Sequence, residues 1–153
     1  MKKKVKKFIS KKVIGDIVEK HKTKAPFDLV IEKLEEAVKE NNFSIVAVHD
    51  LKDTYENKNL DVDFHYKIVQ ICNAEKSHGA LTKMSHDLGI MMPKSIVVAE
   101  KGGVTTLRFM KMKPWMVSLM FPEIDVAPIS KMVTKIMRDI VTQTIQKAEA
   151  EAK

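Results

Sequence analysis

The sequence predicts an α+β fold of about five strands with a long C-terminal helix, and three observations lead there. Ile129, Met132, Val133, Ile136, Met137, Ile140, Val141, Thr144 and Ile145 alternate steps of three and one, the strongest periodic signal in the chain. Phe43–Val48, Phe64–Cys72 and Ile96–Ala99 are short runs rich in β-branched and aromatic residues. Ser95–Met112 reads as a hairpin, because Gly102-Gly103 supplies positive φ at its tip.

The elements follow in order. Val5, Phe8, Ile9, Val13 and Ile14 lie near helical spacing, with Gly15 as a C-cap. Lysines surround this narrow stripe, so docking onto the domain is expected rather than membrane binding. Asp16–Thr23 is a polar, weakly alternating strand that suits an edge. Pro26 opens a helix whose apolar face is Val30, Ile31, Leu34, Ala37 and Val38, and Asn41-Asn42 ends it. After Phe43–Val48, Asp50 caps a short helical piece, and Asn57–Asp61 is a surface loop. The segment Ile68–Glu100 then reads as strand, helix, turn, strand. Asn73 caps its helix, Ala80, Leu81, Met84 and Leu88 form the apolar face, and Gly89 stops it in a left-handed conformation. Pro93 forbids further helix. Trp115–Met120 is a helical turn covering an end of the sheet, and the last helix starts at Pro128.

Length suits one domain, here residues 16–150, preceded by a basic segment, residues 1–15. The net charge of +7 is concentrated at the start. Residues 1–24 carry ten Lys against Asp16 and Glu19, and the remainder is close to neutral. Arg108 and Arg138 are the only arginines. A duplex-binding face spreads its Lys and Arg over the fold, so a solvated basic segment is the preferred reading. No apolar run is long enough to span a membrane, and the start lacks the continuous apolar core of a secretory signal. A cytoplasmic protein is expected. A single cysteine excludes an internal disulfide.

Three stretches carry a resemblance to a known family: NNFSIVAVHDLKDT, YKIVQICNA and LGIMMPKSIVVAE. Together they make the chain similar, over about residues 16–145, to the family called domain of unknown function 302. Asn42 stands where the family usually has glycine, Ala74 where it often has proline, and Lys94 where it often has cysteine. The resemblance implies a curved antiparallel sheet of about five strands packed by helices on one face, similar to the β-α-β4-α arrangement of TATA-box-binding-protein-like folds. Such a likeness does not import DNA binding. The family has no settled activity, and Lys94 argues against chemistry that needs a pair of cysteines.

Candidate chemistry centres on Cys72, at a strand end just before a helix start, where amides and the helix dipole lower a thiol pKa. The alternative is a small apolar residue filling a junction. His78 and His86 are about 12 Å apart along one helix, too far to share an ion. His49 and His65, at strand ends, are the other metal candidates. Met91, Met92, Met110, Met112, Met116 and Met120 fit soft metal or haem ligation, an adaptable apolar pocket, or plain core. No phosphate-binding glycine loop, nucleophile elbow or zinc-type cysteine pair is present.

These readings lead to a domain that binds a small ligand or a protein partner at a methionine- and aromatic-lined site: Cys72, Asn73, Met91, Met92, Pro93 and Trp115. The wide apolar stripe of the last helix suits a homodimer. One rival is a redox or haem- or metal-binding protein using Cys72 with nearby His and Met. The other is a binder of anionic surfaces or nucleic acid through Lys2–Lys12. The residues name no cofactor and leave open whether the chain is an enzyme.

Overall fold

The computed structural model describes residues 2–13 and 15–153. In chain order the elements are α1 (Lys2–Val13), β1 (Val18–Thr23), α2 (Phe27–Glu40), β2 (Ser44–Asp50), α3 (Leu51–Glu56), β3 (His65–Cys72), α4 (Ala74–Lys83), a 3₁₀ turn (His86–Met91), β4 (Lys94–Lys101), β5 (Val104–Met110), α5 (Pro114–Met120) and α6 (Ala127–Glu151). The strands form one antiparallel sheet in the order β1-β5-β4-β3-β2. The hairpin at Gly102-Gly103 closes as expected, with φ of 60° and 79° and Lys101 paired to Val104.

The pleat sorts the sheet into two faces. Val69 and Ile71 of β3, Ile96 and Val98 of β4, and Leu107 and Phe109 of β5 are buried on one. They meet Val30, Leu34, Ala37 and Val38 of α2 and Met137, Ile140, Val141 and Ala148 of α6 in one core cluster. Each large apolar side chain fully buried there contributes about 1.5–3 kcal/mol. On the other face, Lys20, Arg108, Val97 and Ile68 form a cross-strand row in which none is buried. Much of the α6 stripe that suits a dimer is therefore used within the chain, while Met132 near its start is 39% exposed. Ile140, Val141, Thr144 and Ala148 are fully buried, so that face of α6 is not free for a second copy.

Asn42 explains its own departure from glycine. It follows the C-cap Asn41 and adopts φ of 61°. The Asn42 N–H donates to Lys39 O at 3.0 Å, and the Phe43 N–H donates to Val38 O at 3.0 Å. This is a Schellman closure, with buried Phe43 and Val38 as its apolar contact. Asparagine is a residue that tolerates the left-handed region without glycine's loss of chain entropy.

Two expectations change. Gly89 does not stop α4, and its φ is not positive. The helix ends at Lys83, and Ser85 turns extended, with its hydroxyl accepting from the Asp87 N–H at 3.1 Å. That cap starts the 3₁₀ turn and carries Leu88 into a second apolar cluster. His78 and His86 consequently sit on different elements. The second change concerns α1, which does not bury its stripe: Phe8 is 66% exposed and Ile9 54%. Seven lysines in its twelve residues make docking costly, because burying so narrow a stripe desolvates charge. Ile14, read as part of that stripe, lies outside the described residues. No described helix is long and apolar enough to cross a membrane.

The polar character of β1 has a purpose at the edge. Its helix-facing positions are Glu19, His21 and Thr23. Glu19 accepts two hydrogen bonds from the Arg138 guanidinium of α6, both 2.7 Å, and one contact of 3.0 Å from His21. The Thr23 hydroxyl donates to Glu149 at 2.8 Å. These bonds pin α6 to a strand that offers it no apolar surface. At the far side, Lys33 of α2 pairs with Glu36 and Glu151, and Lys147 of α6 with Glu40.

The Arg138 hydrogen bonds hold Glu19 down from 4.5 to about 2, with His21 and Lys111 adding to the effect and burial opposing it. Its contribution to stability is thus complete above the unfolded value of 4.5 and disappears as pH falls towards 2. Arg138 is half-exposed, so solvent screens part of the gain and about 1–2 kcal/mol is expected. Urea unfolding of the wild type and Glu19→Gln should differ by that amount near neutral pH. The gap should narrow steadily as pH falls below the unfolded value. Equal stability near neutral pH would contradict the pairing.

Candidate functional site

A mismatch of lengths builds the site. The 25 residues of α6 span about 37 Å. Strands of 6–8 residues span roughly 20–27 Å. The C-terminal part of α6 lies on the sheet and its N-terminal part overhangs one end. That overhang carries Ile129, Met132 and Val133, which still need cover. Partial cover comes from α4, the 3₁₀ turn and α5, whose Ala80, Leu88 and Val117 join Phe121 and Val126 in the second cluster, and Met132 stays 39% exposed.

Between the two clusters lies a cavity of about 130 Å³. Its floor is the sheet end: Phe43 before β2, Ile71 and Cys72 of β3, Pro93 and Lys94 at β4, and Met110 and Met112. Asn73, Lys76, Ser77 and Ala80 of α4 form one wall, and Leu88, Met91 and Met92 of the 3₁₀ turn and its end form another. The roof is Val117 and Val126 with Ile129, Ser130, Met132, Val133, Thr134 and Met137. Six of the ten methionines line it. Their unbranched, polarizable side chains let such a space adapt its shape.

The local reasons are visible in the sequence. β3 ends at Cys72 because Asn73 is the N-cap that starts α4, its side chain accepting from the Lys76 N–H at 2.9 Å. The Asn73 amide donates to Asn42 O at 2.8 Å, which ties the α4 start to the α2–β2 turn. The Cys72 thiol is half-buried and 3.9 Å from its neighbour's carbonyl, Asn73 O. Pro93, joined to Met92 by a cis peptide, brings the chain into β4. Lys94 follows, half-buried. Burial without a compensating charge pushes its amine below the usual lysine range.

Of the residues proposed from sequence, Cys72, Asn73, Met91, Met92 and Pro93 line this one cavity. Trp115 does not line it and is 45% exposed on α5. The histidines are dispersed. His49 contacts Gln70 at 3.2 Å, His65 stacks on Phe27 with centroids 5.3 Å apart, and His78 and His86 are exposed. His65 stands at the opposite end of β3 from Cys72, roughly 23 Å along the strand. Among the described residues no three His, Cys, Asp or Glu side chains gather to hold a metal. Sequence reasoning missed Lys94, Ser77 and the α6 wall. The signal for Lys94 was its place two residues before Ile96 in an alternating strand, which puts it on the inward face.

The fold has a solved counterpart. The crystal structure of an uncharacterized conserved DUF302 protein from Bacillus stearothermophilus superposes with a TM-score of 0.66 at 20% sequence identity, covering 86% of this chain and 98% of that one. No curated protein matches the chain. The family profile named Domain of unknown function DUF302 matches residues 19–144, from the Arg138-bound glutamate of β1 to the last buried threonine of α6. A match over that span, carrying the cavity beneath α6 and all of the sheet but Val18, places this chain in the DUF302 family.

Proposed function

We propose that residues 16–150 form a binding domain for a small apolar molecule, held in the cavity at the end of the sheet. The observation that carries this is the lining itself: a preformed space at the seam of two apolar clusters, walled by six methionines with few polar groups. Such concave apolar sites with a few convergent polar groups are the usual form of small-molecule sites. The volume suits a single ring or a short chain, since an engineered apolar cavity of roughly 150 Å³ binds benzene. Cys72 serves here as part of the wall: its sulfur touches a backbone carbonyl, and no imidazole lines the cavity to act as its base.

A second reading concerns α1. Its lysines flank a stripe of Val5, Phe8, Ile9 and Val13 whose members are all at least half exposed. A basic helix with a free apolar stripe fits the surface of an anionic membrane, where the stripe enters the headgroup boundary and the lysines meet phosphates.

Toluene tests the first reading. At ten times its dissociation constant it should raise Tm by about 3–6 °C. Ser130→Phe, which plugs the cavity from its α6 wall, should keep the far-ultraviolet circular dichroism and lose that rise. An unchanged Tm in the wild type would refute the pocket. Cosedimentation with vesicles containing phosphatidylserine tests the second. Binding should fall with salt and vanish on deletion of residues 1–14. Equal binding by the truncated chain, or binding to RNA but not to vesicles, would refute it.

A further inference from the structure

The polar groups around the cavity are lopsided in charge. Lys76 and Lys94 bring ammonium groups, Asn73 and three hydroxyl residues bring neutral ones, and no described Asp or Glu lines it. Lys94 is the inward one. It stands two residues before Ile96 and four before Val98, on the face where both are fully buried. The pleat therefore aims it beneath the overhang of α6. Lysine is seldom buried without a partner. Among the described residues no carboxylate bears on this one, and desolvation alone acts on its amine. The described residues also contain no fully buried side-chain nitrogen or oxygen that lacks a partner. The unpaired ammonium is thus not sealed from the accessible surface, and Lys94 is one of the residues that line the cavity. Lys76 differs: it is exposed on α4, with its Nζ 3.8 Å from the Met132 sulfur.

We propose that the cavity takes a small apolar monocarboxylate, its ring or short chain among the methionines and its carboxylate paired with Lys94. This rests on the pocket reading above and adds the charge of the ligand to it. The carboxylate supplies the countercharge that the lining lacks, in a place where low polarity strengthens the pair. A neutral analogue of equal shape fills the same space and leaves the ammonium uncompensated. A cationic one meets like charge. Among the hydroxyl residues of the lining, Ser77 donates to Ala74 O at 3.1 Å, and Ser130 and Thr134 are further polar groups for the ligand.

Isothermal titration with phenylacetate and phenylacetamide tests the proposal, because the two share ring and size and differ in charge. The wild type should bind phenylacetate at least about tenfold more tightly. Lys94→Met should abolish that preference and leave the amide affinity within about twofold. Lys76→Met should keep the preference. Equal affinities in the wild type, or a preference that survives Lys94→Met, would overturn the role of Lys94 while leaving the pocket standing. If neither compound binds, the monocarboxylate proposal is overturned, and the toluene measurement decides whether the pocket falls with it.

Discussion

The structure depends on one geometric constraint: the helix that covers the sheet is longer than the sheet. A five-stranded antiparallel sheet with one apolar face needs a second layer, and α2 and α6 supply it. The stripe of α6 continues past the strand ends, so its first turns would face water without additional elements. The inserted pieces α4, the 3₁₀ turn and α5 meet that need. They arrive from two separate segments, the β3–β4 connection and the β5–α6 connection, and leave space between the two clusters. The residual space between the two clusters is the cavity. Site and scaffold therefore share an origin, and the residues that line the site are also those that hold the overhang down.

The sheet's edge is governed by a different force. On β3, β4 and β5 the buried helix-facing residues are apolar except Thr105, and α6 is held there by area removed from water. On β1 they are Glu19, His21 and Thr23, and α6 is held by directed bonds, from Arg138 to Glu19 and from Thr23 to Glu149. An apolar edge would bury more surface but would also leave a strand prone to pairing with other chains. The exposed Lys20 and Lys22 on the opposite face of the same strand serve the same end. Fixing the edge by an ion pair also sets the lateral position of α6, and through it the placement of its overhanging wall above Lys94.

Much of this was legible in the sequence, for physical reasons. Strand runs, the two-glycine hairpin and the stripe of α6 follow from side-chain periodicity, which survives without tertiary context. Cys72, Asn73, Met91, Met92 and Pro93 meet in space because all sit at one end of adjacent antiparallel strands, a consequence of topology that short connections reveal. The break at Ser85 was not legible, since one hydroxyl bond to Asp87 decides between continuing α4 and restarting the chain. Trp115 was misplaced because a seven-residue helix gives too little periodicity to fix which face points inward. In the sequence Lys94 stands out as the loss of a cysteine. Its alternation with Ile96 and Val98 shows it instead as an inward charge.

The central claim is that the end of the sheet holds a ligand cavity, and the methionines report on it directly. A methyl spectrum of carbon-13-labelled methionine, recorded while phenylacetate is added, would read every wall at once. The account predicts saturable shifts of Met91, Met92, Met110, Met112, Met132 and Met137, which line the cavity, with Met116 and Met120 of α5 unmoved. Shifts absent from the lining methionines, or equal in size at Met116 and Met120, would contradict it.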